Sequence, residues 1–94
     1  MSNSLICNER TCYVCGTTFN LHRHHIFGGA NRNKSERDGC WCWLCASHHN
    51  MSSKGVHFNR ELDLRLKSFC EERWMSRNDK TEEDFIAEYG RSYL

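Results

Sequence analysis

Within Leu21–Gly29 (LHRHHIFGG) three histidines fall in four residues, and a second histidine pair, His48 and His49, follows in LCASHHN. Near neutral pH an imidazole does two kinds of chemistry. It ligates divalent ions through a neutral ring nitrogen, and it carries protons, with an ordinary pKa of about 6.5. Thiols stand close to both clusters. Cys12-x-x-Cys15 followed by Gly16 is a zinc knuckle: two thiolates at this spacing point at one ion, and the glycine permits the tight turn. Cys45-x-x-His48 is a second pair, and together Cys12, Cys15, Cys45 and His48 make the four N/S ligands of a closed structural zinc site. Such a site can supply about 10 to 16 kcal/mol of apparent binding free energy to folding.

The other thiols are less suited to that ion. If residues 40–45 form a strand, Cys40 and Cys42 share a face with Leu44, while Cys45 faces the other way with Trp41 and Trp43. Cys70 falls on an apolar helical stripe and reads as a small core residue. Cys7 has no evident place. With His48 committed to zinc, His22, His24, His25, His49 and His57 remain. His24 and His25 point to opposite faces of a strand, so one can ligate a metal while its neighbour works as a base. His49 directly follows a zinc ligand, which would fix its position.

These residues need elements to hold them. LHRHHIF and CWCWLC are short and apolar-flanked, and are expected as the strands of a small hairpin. Between them GGANRNKSERDG is expected as a polar loop. Downstream, Phe58, Leu62, Leu66, Phe69 or Cys70, and Trp74 recur at steps of three and four, predicting an amphipathic helix with Asn59 as its cap. SRND breaks that pattern. TEED then opens a shorter helix with a capping box, Thr81 with Asp84, running through Phe85, Ile86 and Tyr89 to Gly90.

Composition narrows the class. A 94-residue chain suits one domain with a thin core, the situation in which a metal staple matters. With 38% hydrophobic and 27% charged residues it reads neither as a membrane protein nor as a disordered one. Mean hydropathy is −0.78. MSNSLIC resembles no signal peptide, and seven cysteines without an export signal point to a reducing, cytoplasmic setting. Net charge is only +1, yet Arg23, Arg32, Lys34 and Arg37 are opposed locally by Glu36 alone. Asp79–Glu88, by contrast, carries five acids against Lys80. An anionic partner near the histidines fits this asymmetry.

Taken together, CYVCG, HRHHIFGG and LCASHHN resemble the HNH endonuclease family, the ββα-metal or His-Me finger fold in its zinc-stapled form. GVHFNRELDLRLK and EYGRSYL are similar to short HNH proteins carried by phages and prophages. The resemblance implies an α+β fold over residues 1–94 as a single domain. The zinc knuckle and ββα core would occupy about 7–57, with C-terminal helices over 58–94. By position it implies His25 as the general base that activates water, His24 and His49 as ligands of a catalytic divalent ion, and His57 as a further ligand. Two departures from the pattern stand out. His48 takes a place where many relatives carry Cys, and the family's middle Asn has no evident counterpart: Asp38 and Gly39 occupy that neighbourhood, with Asn31 and Asn33 earlier.

The expected activity is metal-dependent hydrolysis or nicking of DNA, double-stranded and inside a bacterial host cell, with no membrane partner. A divalent ion (Mg²⁺, Mn²⁺, Ni²⁺, Co²⁺ or Zn²⁺) would neutralise charge on the phosphoryl group, beside the separate structural Zn²⁺. A positioned imidazole is worth about 10² to 10⁴ in rate. Arg32, Lys34 and Arg37 would hold the phosphate backbone. The alternatives are a zinc-containing module that binds nucleic acid without cleaving it, or a protein-interaction module on the same fold with Trp41, Trp43 and Trp74 as candidate anchors.

Overall fold

A largely polar segment, LHRHH, and an apolar one, WCWLC, build a two-stranded hairpin. In the computed structural model, which describes residues 4–7, 9–51 and 59–94, β1 (Leu21–His25) pairs antiparallel with β2 (Trp41–Cys45). The register sets His24 opposite Cys42 and His22 opposite Leu44 on one face; Arg23 opposite Trp43 and His25 opposite Trp41 occupy the other. Cys42 and Leu44 are fully buried, so the His22–His24 face is the core side.

The segment between the strands corrects the expectation of a polar loop. After a 3₁₀ turn at Gly29–Asn31 it forms α1 (Arg32–Asp38), ended by Gly39 with φ 78°. No apolar periodicity announces this helix because only Ser35 of its residues is buried. Ser35 ties the strand ends together instead: its hydroxyl donates to the Cys40 carbonyl and accepts from the Phe27 amide at 3.2 Å.

Two helices close the core. α2 (Arg60–Asn78) is capped by Asn59, whose side chain accepts from the Leu62 amide at 3.0 Å. It buries Leu66, Cys70 and Trp74, while Phe69 is only partly covered. The Phe58 expected at the head of this stripe lies outside the described residues. The helix continues into the stretch expected to break it and stops at Asn78, where Asp79 takes a left-handed conformation. α3 (Glu82–Tyr89) starts in the capping box of Thr81 and Asp84 and ends at Gly90. Its Phe85 and Tyr89 pack with Phe27 and Trp74 into an aromatic cluster, with Phe27–Tyr89 centroids 4.8 Å apart. Each such ring, fully buried, contributes about 1.5 to 3 kcal/mol of transfer free energy.

Asp38 at the end of α1 binds these layers together. Its carboxylate accepts from Tyr89 Oη at 2.7 Å on α3 and from Trp74 Nε1 at 3.1 Å on α2, as well as from Arg37 at 2.8 and 2.9 Å. One turn before Trp74 on α2, the buried Glu71 accepts from Ser92 Oγ and the Tyr93 amide, each at 2.6 Å, and holds down the C-terminal residues. Among the described residues no helix is long and apolar enough to cross a membrane.

Candidate metal centre and histidine cluster

The knuckle is shaped by backbone hydrogen bonds. Gly16, at φ 77°, lets its amide reach back to the Cys12 carbonyl at 2.8 Å, and the Cys12 amide donates to Thr17 at 2.8 Å. The Tyr13 amide donates to the Trp43 carbonyl at 2.8 Å, which docks the knuckle on β2 beside Cys45. A π-helical turn at Ser47–Met51 then carries His48 back towards the knuckle.

Cys12, Cys15, Cys45 and His48 consequently converge, with all four ligand atoms within 4.8 Å of one another. An ion with bonds of about 2.3 Å to sulfur and about 2.0 Å to nitrogen, at tetrahedral angles, would set its ligand atoms about 3.5 to 3.8 Å apart. Here Cys12 Sγ lies 3.7 Å from His48 Nδ1, Cys15 Sγ 3.9 Å from Cys45 Sγ, and Cys45 Sγ 3.2 Å from His48 Nδ1. The donor set and its dimensions fit zinc. Electrostatics favour thiolate at Cys12: burial works against it, but the amides of Cys45, Cys15 and Val14 outweigh that and hold its pKa at about 6. Cys15 is shifted the other way: the Thr17 amide favours its thiolate, but partial desolvation and the neighbouring sulfurs of Cys12 and Cys45 together outweigh that and raise its pKa. Three sulfurs this close share negative charge comfortably only around a cation.

The next residue along the turn, His49, reaches across to β1. Its ring centroid lies 5.4 Å from that of the buried His24 and 5.1 Å from that of His22. His22 Nδ1 and His49 Nδ1 are 3.0 Å apart, close enough for one ring to donate to the other. Three imidazoles thus gather on the core-side face of the hairpin. His22, given no role from the sequence, belongs to this group; its place two residues before His24 on one strand face was the available signal. His57 lies outside the described residues.

His25, on the opposite face, is engaged by α1. Its Nε2 lies 3.0 Å from Glu36 Oε1, and Glu36 also accepts from Arg23 Nη1 at 2.8 and 3.0 Å. The Arg23 guanidinium is stacked 3.9 Å over the Trp41 ring. Glu36 is held below the usual carboxylate range, first by its hydrogen bond with His25 and then, against a desolvation cost, by Arg23.

The residues considered for the absent middle Asn have other partners or none. Asn31 donates to the Tyr89 carbonyl at 2.9 Å, Asp38 serves α2 and α3 as described, and Asn33 is exposed. Of the basic residues, Lys34 donates to the Glu88 carbonyl at 2.7 Å, and Arg37 pairs with Asp38 and with Glu88 at 2.6 Å. Arg32 is exposed, and among the described residues no partner is found for it. Cys40 and Cys42 are buried in the core, as is Cys70.

The chain matches no protein-family model, and neither a curated protein nor a solved structure is significantly similar to it.

Proposed function

We propose that the protein is a metal-dependent endonuclease that nicks DNA, with His25 as general base and His24 and His49 as ligands of a divalent ion. One observation carries the reading: the turn that ends a zinc-type Cys₃His cluster brings His49 beside His24, on a strand whose next residue is His25. Two partly shielded imidazole rings from different elements, with centroids 5.4 Å apart, are the type of donor that suits divalent ions. A bound ion would supply charge stabilisation to the phosphoryl group.

The chain's own residues would do the rest. Among the described residues the sheet has two strands, which leaves β1 an edge that a phosphodiester can approach. His24, with His49 beside it, lies on one face of β1 and His25 on the other. His25 would accept the proton of a water whose oxygen bonds to phosphorus, while the P–O3′ bond breaks, its electron pair leaves with the 3′ oxygen, and that oxygen takes a proton from solvent. The exposed Arg32 would contact the backbone, giving affinity that carries little sequence information.

The rival reading is a protein-interaction module, favoured by the exposed apolar side chains of the knuckle, Tyr13, Val14 and above all Phe19 at 73% exposure. Metal counting separates the two. The nuclease reading expects about two ions per chain in zinc-saturated protein supplemented with Mn²⁺ or Ni²⁺, falling to one in His49→Ala, together with nicking of supercoiled plasmid. One ion per chain in the parent and no nicking would leave the interaction module or a zinc module that binds nucleic acid without cleaving it.

A further inference from the structure

We infer that Glu36 is a positioning residue for His25, fixing the ring proton on Nε2 so that Nδ1 is the nitrogen left to accept a proton. For its effect on cleavage the inference rests on the nuclease reading above; for the state of the ring it stands on geometry alone. A carboxylate has no proton to give at neutral pH, so across the 3.0 Å contact with Glu36 Oε1 the Nε2 of His25 must be the donor. A neutral imidazole carries one N–H, and placing it at Nε2 leaves the lone pair on Nδ1.

The carboxylate is itself held in place. Arg23 Nη1 donates to both of its oxygens, and the guanidinium is pinned over Trp41, which pairs with His25 across the strands. Arg23 and His25 are two apart on β1 and share a face, so α1 needs to offer only one side chain there to engage both. Glu36 is that side chain, one turn before Gly39 ends the helix. A surface ion pair would need only Arg23. The additional contact with a 14% exposed histidine restricts that ring to one orientation and one tautomer.

The test compares zinc-loaded parent, Glu36→Ala and Glu36→Gln. Long-range ¹H–¹⁵N correlation reads the His25 tautomer, and plasmid nicking is followed across Mg²⁺, Mn²⁺, Co²⁺ and Ni²⁺. The expected result is a parent ring protonated at Nε2, a mixture of tautomers in Glu36→Ala, and nicking slowed about 10- to 100-fold there with zinc content unchanged. Glu36→Gln keeps an acceptor oxygen, and should restore both the tautomer and most of the rate. An unchanged tautomer in Glu36→Ala overturns the inference, as does a parent-like rate in that variant when nicking depends on His25. If the parent nicks nothing, the nuclease reading fails, while the tautomer comparison still decides the role of Glu36.

Discussion

Replacing Cys45 by alanine removes one ligand atom from a cluster that joins the N-terminal knuckle to the end of β2. A structural zinc site contributes about 10 to 16 kcal/mol, as large as the whole stability of a small domain, about 5 to 15 kcal/mol. Shared evenly over four ligands, one sulfur accounts for about 2.5 to 4 kcal/mol, a factor of about 10² to 10³ in zinc affinity. In a chain of this length that lowers the melting temperature by about 10 to 30 °C. Cys70→Ala is the matched control: it also deletes a buried sulfur, but from the α2 stripe, away from the cluster, and should cost about 1 kcal/mol with zinc retained. Zinc content by mass spectrometry, cobalt absorption and thermal unfolding by circular dichroism read both variants. Full zinc occupancy and parental melting in Cys45→Ala would refute the reasoning, and so would loss of zinc from Cys70→Ala.

Asp38→Ala should destabilise the fold by about 2 to 4 kcal/mol at pH 7, because it leaves donors on Trp74 and Tyr89 without their charged acceptor. Burial opposes ionisation of Asp38, but its bonds to Arg37, Tyr89 and Trp74 outweigh this and depress its pKa. The stabilisation is therefore complete above the unfolded value of about 3.9 and drains as pH falls through the folded one. Urea titrations should show the parent losing its advantage over Asp38→Ala below about pH 4. In plasmid binding across salt concentrations, Arg32→Ala should reduce the slope by about one ion equivalent. Lys34→Ala should reduce it less, since that ammonium is directed at the Glu88 carbonyl.

How much of this was legible depended on whether a residue's partner was local. Spacing alone named the four members of the Cys/His cluster, because ligand pairs two residues apart point at one ion whatever lies between them. Two short, apolar-flanked segments on either side of a polar stretch marked the hairpin, and the capping box of Thr81 and Asp84 marked the start of α3. The α1 helix was misread as loop because its stabilising contacts are polar and distant: Ser35 to Cys40, Lys34 and Arg37 to Glu88, Asp38 to Trp74 and Tyr89. Hydrophobic period cannot report a helix held in that way. The same holds for Glu36, whose pairing with His25 depends on where α1 crosses the sheet. His22 needed the position of the turn after β2, which no local pattern fixes.

The central claim is that this hairpin and turn form a nuclease site with His25 as base. Its most direct test is cleavage of supercoiled plasmid by zinc-loaded parent and by His25→Ala across Mg²⁺, Mn²⁺, Co²⁺, Ni²⁺ and Zn²⁺, with both proteins shown to be folded. The account predicts nicked product from the parent with at least one ion, and a rate lower by about 10² to 10⁴ in the variant with its metal content unchanged. Equal rates from the two proteins, or no product from the parent with any ion, would contradict it.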